Sequence, residues 1–151
     1  MQGAMEMAGL QQSVVINRPV EQVFAFVSDF ENDPPWSGAA EMRRTSPGPL
    51  GVGTTFRQRD RILGRPLELS MEVVGYQPNH QIAVTASSRL LSLGGARTVE
   101  PVGAAATRLT VTGGGHARGV LKLVEPLLVA AGRRRLRRQL GSLKQLLEAL
   151  L

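Results

Sequence analysis

The sequence predicts an α+β domain, a curved antiparallel β-sheet of about seven strands wrapped around a long C-terminal α-helix, with two short helices between the first two strands. Three observations carry this. After Val129, the residues Leu136, Leu140, Leu143, Leu147 and Leu150 recur at spacings that keep one face of a helix apolar. The middle of the chain is a series of β-branched, alternating runs punctuated by Gly, Pro and Asn, the pattern of successive half-buried strands. Near the front, Arg18-Pro19 and then Asp33-Pro34-Pro35-Trp36 supply a helix start and a tight reversal before those strands begin. A helix face as wide as the leucine stripe needs a sheet to cover it, and this architecture leaves a cavity between helix and sheet. The expected function is therefore the binding of an apolar molecule.

Taken in order, Gln12 to Asn17 reads as an edge strand. The first helix follows Pro19, with Val20, Val23, Phe24 and Val27 as its buried stripe. Strands are expected at about 39–46, 53–63, 66–77, 81–91, 95–101 and 106–117. The last helix starts near Gly119, and Pro126 should bend it or divide it into a short lead-in and a long second part. Alternation sets the facing of each strand. Leu67, Leu69, Met71 and Val73 belong to the core, and Glu68, Ser70 and Glu72 to water. In the preceding strand Arg57, Arg59 and Arg61 claim the solvent face, which turns Phe56, Gln58 and Asp60 inward. Ile82, Val84, Ala86, Leu109 and Val111 complete the concave surface.

At 151 residues the chain is about one domain long, enough to bury roughly 68–70% of its unfolded surface. No uninterrupted apolar run approaches the roughly 20 residues of a membrane span. Residues 1–9 lack the basic start and apolar core of a secretion signal, carry three methionines that each offer a start, and read as a disordered tail, leaving 10–151 as the domain. There is no cysteine, hence no disulfide framework and no thiolate chemistry, and the default location is cytoplasmic. The net charge of +6 is unevenly placed: residues 1–117 hold ten basic and ten acidic side chains, residues 118–151 eight basic and two acidic. The run Arg133, Arg134, Arg135, Arg137 and Arg138 can attract an anionic membrane, phosphate or an acidic partner. Nucleic acid is disfavoured, because single-strand recognition leans on aromatic stacking and every aromatic residue precedes position 77.

The chain resembles the START-like (SRPBCC) superfamily with the helix-grip fold, more narrowly its bacterial polyketide cyclase/dehydrase and lipid-transport group. The resemblance spans about Gln12 to Leu151. It rests on Ile16-Asn17-Arg18-Pro19, on Val23-Phe24-Ala25-Phe26-Val27-Ser28-Asp29, on Trp36, on Gly51-Val52-Gly53-Thr54-Thr55-Phe56, on Val73-Val74-Gly75-Tyr76-Gln77-Pro78, and on Leu143-Lys144 with Leu147-Glu148. The chain departs from the family pattern at Ala104-Ala105-Ala106-Thr107, where relatives carry glycines before the threonine. The resemblance implies an elongated pocket between the terminal helix and the sheet, opened by the loops and short helices near Trp36.

Catalytic motifs are largely missing. His80 and His116 do not have the spacing of metal ligands on one element, and no cofactor is expected. Gly51-Val52-Gly53 and Gly113-Gly114-Gly115 lack the lysine or helix start of a phosphate loop and read as strand bends. Gln58 and Asp60 are the polar candidates for the cavity, since a buried carboxylate must be paired or protonated; the structural alternative is that Asp60 pairs with an arginine at the sheet edge. On a helical wheel centred on the leucines Arg133 lies nearest the stripe, with Arg135 and Arg137 at the flanks. The expected ligand contacts are Trp36, Phe56, Gln58, Asp60, Leu69, Met71, Val84, Val111, Arg133, Leu136, Leu140 and Leu143. The sequence favours a carrier of a lipid, quinone or polyketide-like compound. The alternative is a polyketide cyclase or aromatase using Asp60 as acid or base, which also requires a second polar group. Gly132 and Gly141 in the helix suggest close packing on the sheet.

Overall fold

The computed structural model describes residues 9–62 and 64–150. The expected tail thus lies, apart from Gly9, outside the described residues. The elements are β1 (Leu10–Ile16), α1 (Val20–Val27), a 3-10 turn (Phe30–Asn32), α2 (Pro34–Ser37), β2 (Glu41–Arg44), β3 (Thr55–Ile62), β4 (Arg65–Gln77), β5 (Gln81–Ser87), β6 (Leu91–Pro101), β7 (Thr107–Ala117), a 3-10 lead-in helix (Gly119–Val124) and α3 (Glu125–Leu150). All seven strands form one antiparallel sheet in the order β1-β7-β6-β5-β4-β3-β2, so only β1 leaves the meander to pair with the last strand. The long helix crosses the concave side and packs against β1 and α2. This is the helix-grip arrangement.

The register follows the alternation. Leu69, Met71 and Val73 are buried and Leu67 half-buried, while Glu68, Ser70 and Glu72 face solvent. A bulge between Val73 and Gly75 then shifts the pairing with β5, and the extra residue, Val74, turns outward. Pro126 divides the C-terminal segment as expected: the lead-in is a 3-10 helix, and Pro126 falls in the first turn of α3, where its missing N–H costs little. The last hairpin, where the chain departs from the family pattern, turns through Gly103 at φ +96°.

One boundary differs from the sequence expectation. The break between the fifth and sixth strands lies at residues 88–90, not at 92–94. The Ser88 hydroxyl accepts from the backbone N–H groups of Leu90 and Leu91 (both 3.2 Å), and Arg118 donates to the Ser88 carbonyl (2.6 Å), so the chain reverses there. Gly94 and Gly95 do not break the strand. They pair with Gly114 and Gly113 of β7, and this bare stretch lets the two strands run without side chains between them and the helix.

The glycines separate into those the fold needs and those it does not. A Cβ on Gly95 would lie 2.6 Å from the Thr112 carbonyl oxygen, an overlap that only backbone movement relieves. Gly132 has Leu10 of β1 at 3.4 Å from its Cβ position, so it marks a close approach of helix to sheet. Gly141 is different from expectation: it faces open space and has no packing role. Gly95→Ala is therefore expected to cost about 1–3 kcal/mol, whereas Gly141→Ala is expected to gain about 0.5–1 kcal/mol of helix propensity. Paired urea titrations check both signs.

The core fills the half of the molecule under the C-terminal part of α3. Leu140, Leu143 and Leu147 meet Ile16, Val23, Val27, Val73, Ile82, Val99 and Leu109 in one buried cluster. At about 1.5–3 kcal/mol for each large apolar side chain buried, this cluster anchors the helix. Under the N-terminal part of α3 the sheet is not filled.

Candidate functional site

That unfilled space is a cavity of about 560 Å³, within the range typical of small-molecule sites. Its apolar wall is Leu67, Leu69 and Met71 of β4, Val84 and Ala86 of β5, and Val111 of β7. Its floor is the backbone of Gly94, Gly95 and Gly113 to Gly115, and its roof is Leu128, Ala131, Gly132 and Leu136 of α3. The glycine floor leaves this side of the space without side chains: Gly95, Gly113 and Gly115 share the inward face of Val99 and Leu109, while Gly94 and Gly114 alternate outward.

One end of the cavity is polar. Asp60 of β3 receives Arg135 Nη2 of α3 at Oδ2 (2.8 Å), Gln58 Nε2 at the same oxygen (3.3 Å), and the Arg61 backbone N–H at Oδ1 (2.8 Å). Arg135 Nη2 also reaches the Ser37 carbonyl (3.3 Å), to which Gln139 Nε2 donates at 2.6 Å. These bonds tie α3 to α2 and β3 across the mouth of the fold.

Beside this cluster Arg97 of β6 and Asp33 form a paired fork, Nη1 to Oδ1 at 3.0 Å and Nη2 to Oδ2 at 2.6 Å, and Arg97 Nη1 also caps the Val27 carbonyl at the end of α1 (2.8 Å). The guanidinium lies over Phe30 (4.1 Å to the ring centroid) and Trp36 (5.1 Å). Both partners are largely out of water, with side chains 13% and 5% exposed. Burial pushes the Asp33 carboxyl above its ordinary value, and the charge and hydrogen bonds of Arg97 pull against that. The pair closes the cavity wall between α1, α2 and the sheet.

Of the residues expected from sequence, Gln58, Asp60, Leu69, Met71, Val84, Val111 and Leu136 line the cavity. Trp36 and Phe56 do not: Trp36 lies behind Arg97, and Phe56 is packed against Phe30 in the core, ring centroids 5.6 Å apart. Leu140 and Leu143 belong to the filled half. Arg133 is exposed and outside the cavity, and its place is taken by Arg135. The reason is rotational. The cavity face of α3 runs through Leu128, Gly132, Arg135 and Gln139, which at 100° per residue lies roughly 80° round from the buried leucines. Asp60 is paired, as the structural alternative had it, but with the helix rather than with a sheet-edge arginine. His116 of β7 also lines the cavity, whereas His80 sits in the β4–β5 turn.

Residues 7–148 match the family described as polyketide cyclase / dehydrase and lipid transport. The chain belongs to this family. No curated protein matches the chain in sequence. Among solved structures, a START superfamily protein from Mycobacterium smegmatis superposes with a TM-score of 0.80 at 18% identity, covering 95% of this chain and 99% of that one. The Zhui aromatase/cyclase from Streptomyces sp. R1128 also reaches 0.80, at 13% identity with 93% of each chain covered. A protein from Thermus thermophilus reaches 0.79 at 16% identity, over 93% of this chain and 97% of that one. At these identities the likeness establishes the fold. Family and fold both fit ligand binding in the helix-grip cavity.

Proposed function

We propose that this protein binds and carries a small amphipathic molecule, of lipid, quinone or polyketide-like type, with its apolar body on Leu69, Met71, Val84 and Val111 and its polar end against Gln58, Asp60, Arg135 and Gln139. The single observation that carries this reading is the division of one 560 Å³ cavity into an apolar wall and a polar end. Apolar surface supplies most of the affinity, and a few placed donors and acceptors orient the ligand. Arg135, whose Nη2 is bonded to Asp60 and to the Ser37 carbonyl, presents the rest of its guanidinium to a carbonyl, carboxylate or phosphate.

Mass spectrometry of an organic extract of the purified protein tests this. The expected result is one compound at a stoichiometric ratio; an extract without such a compound, together with no saturable uptake of fluorescent fatty acids or quinones, contradicts the reading.

A second reading, a cyclase with Asp60 as acid or base, is favoured by the position of that carboxylate on the cavity wall. Asp60→Asn separates the two. A carrier keeps its ligand with affinity lowered about ten-fold or less, because Gln58 and Gln139 still face the polar end. A cyclase loses turnover on a polyketide substrate while retaining it.

A further inference from the structure

The lead-in helix and the start of α3 carry a feature that ligand binding does not use. Val120, Leu123 and Leu127 are 73%, 85% and 68% exposed, three large apolar side chains in water within eight consecutive residues. Single exposed apolar residues are ordinary, but a cluster of them rimmed by charge marks a contact surface. The rim is cationic. On α3, Arg134 and Arg138 follow Leu127 on the same outer face at steps of seven and four, and Arg137 and Arg133 lie about 80° and 120° round to one side of it; all four are exposed. Among the described residues none of these four has a carboxylate partner, in contrast to Arg135, which is bonded to Asp60. The two carboxylates of the segment are engaged elsewhere: Glu125 accepts from the Ala117 backbone N–H (2.8 Å), and Glu148 from Lys144 Nζ (2.7 Å) and the Asn17 backbone N–H (2.8 Å).

We infer that the lead-in helix Gly119–Val124 and the outer face of α3 dock on an anionic lipid bilayer, Val120, Leu123 and Leu127 entering the headgroup region and Arg133, Arg134, Arg137 and Arg138 lying on the phosphates. The combination is that of a helix that lies in an interface, apolar at one part and basic beside it. Charge complementarity selects the occupant. A second copy of this face would bring four arginines of each chain together. A nucleic acid would give the apolar tip nothing to enter, and no aromatic side chain is present here to stack on bases. An anionic leaflet satisfies both parts, and each basic side chain near its surface raises partitioning about five-fold.

Docking also places the cavity. Leu128 and Ala131 line it, and Ala131 is exposed, so an opening lies one helical turn from Leu127. On a bilayer that opening faces lipid, which gives an apolar ligand a route that avoids water. This last step rests on the proposed function; the docking itself does not.

Vesicle flotation of the full chain tests it, with phosphatidylcholine vesicles and with vesicles containing phosphatidylglycerol, at low and high salt. The chain is expected to float with the anionic vesicles and to be released by salt. Leu123→Asp with Leu127→Asp is expected to weaken flotation about ten-fold or more, and Arg134→Gln with Arg138→Gln roughly 25-fold, two arginines at about five-fold each. If the double leucine variant loses its fold, Leu123→Asp alone, at the most exposed of the three positions, keeps the test open. Equal flotation with both lipids, unchanged flotation of either variant, or an oligomer dispersed by the leucine changes with no vesicle binding would each overturn the inference. Met71→Arg, which acts inside the cavity, leaves flotation unchanged, so failure of docking and failure of ligand binding are told apart.

Discussion

Arg97→Ala is expected to cost about 3–5 kcal/mol of stability at neutral pH, among the largest losses any single substitution in this protein produces. The arginine fills three roles at once: it neutralises Asp33, caps the Val27 carbonyl and covers the rings of Phe30 and Trp36. Without it, the carboxylate is left in a nearly dry site between α1 and α2 with no counter-charge. Urea unfolding measures the loss, and a second substitution tests its cause. Adding Asp33→Asn to Arg97→Met removes both charges, and the double variant should recover part of what Arg97→Met loses, because the uncompensated charge is gone even though the fork is too. The pH dependence provides a further check. Burial raises the folded-state pKa of Asp33 above its unfolded value, so in Arg97→Ala the folded state binds more protons than the unfolded state between those two values. Stability of that variant therefore rises as pH falls through this window, and its deficit against the parent narrows toward the ordinary carboxylate pKa of 3.8. A deficit that stays constant from neutral to that pH would mean that lost packing, not the stranded charge, dominates.

The same ion pair shows where sequence reading stops. Strand register is written locally: Leu67, Leu69, Met71 and Val73 alternate with Glu68, Ser70 and Glu72, and three arginines on β3 decide which way Gln58 and Asp60 turn, so most of the cavity's wall follows from the period of two. Arg97 is legible only in part. Alternation on β6 gives it the side of buried Val99, but nothing local names its partner, Asp33, 64 positions away at the start of α2. The tilt of α3 is equally silent. A helical wheel finds the most apolar face, and over Leu140, Leu143 and Leu147 that face is the buried one. Over the cavity the facing residues are Gly132, Arg135 and Gln139, of which the wheel places Arg135 at the flank. A cavity wall is the one buried surface that hydrophobicity understates, since a space left empty needs small residues at its edges and a polar end needs polar ones. That is why Arg133 reads as the pocket arginine from sequence, whereas Arg135 holds Asp60.

Met71→Arg is expected to abolish retention of a stoichiometric ligand while the sheet stays folded. Met71 sits at the centre of the apolar wall, opposite Phe56 on β3 and Ala86 on β5, and it lines the cavity between Leu69 and the helix. An arginine there puts a cation into the space that the ligand's apolar body would fill. The protein accommodates it because the cavity gives the long side chain room to run toward the exposed rim at Ala131, which a filled core would not. The ligand cannot share that space: an apolar molecule loses its contact surface and meets a charge it cannot pair. The two consequences are read separately, folding by circular dichroism and urea titration, retention by mass spectrometry of matched extracts. Where the arginine itself unfolds the chain, Val84→Phe on β5 fills the same space with apolar volume and no charge, and it too should exclude the ligand. Retention undiminished in both variants would place the ligand outside this cavity and leave the polar end at Asp60 and Arg135 as a structural clamp alone. Loss in Met71→Arg with retention in Val84→Phe would instead confine the ligand to the β3–β4 side of the cavity, nearest the carboxylate and guanidinium that orient it.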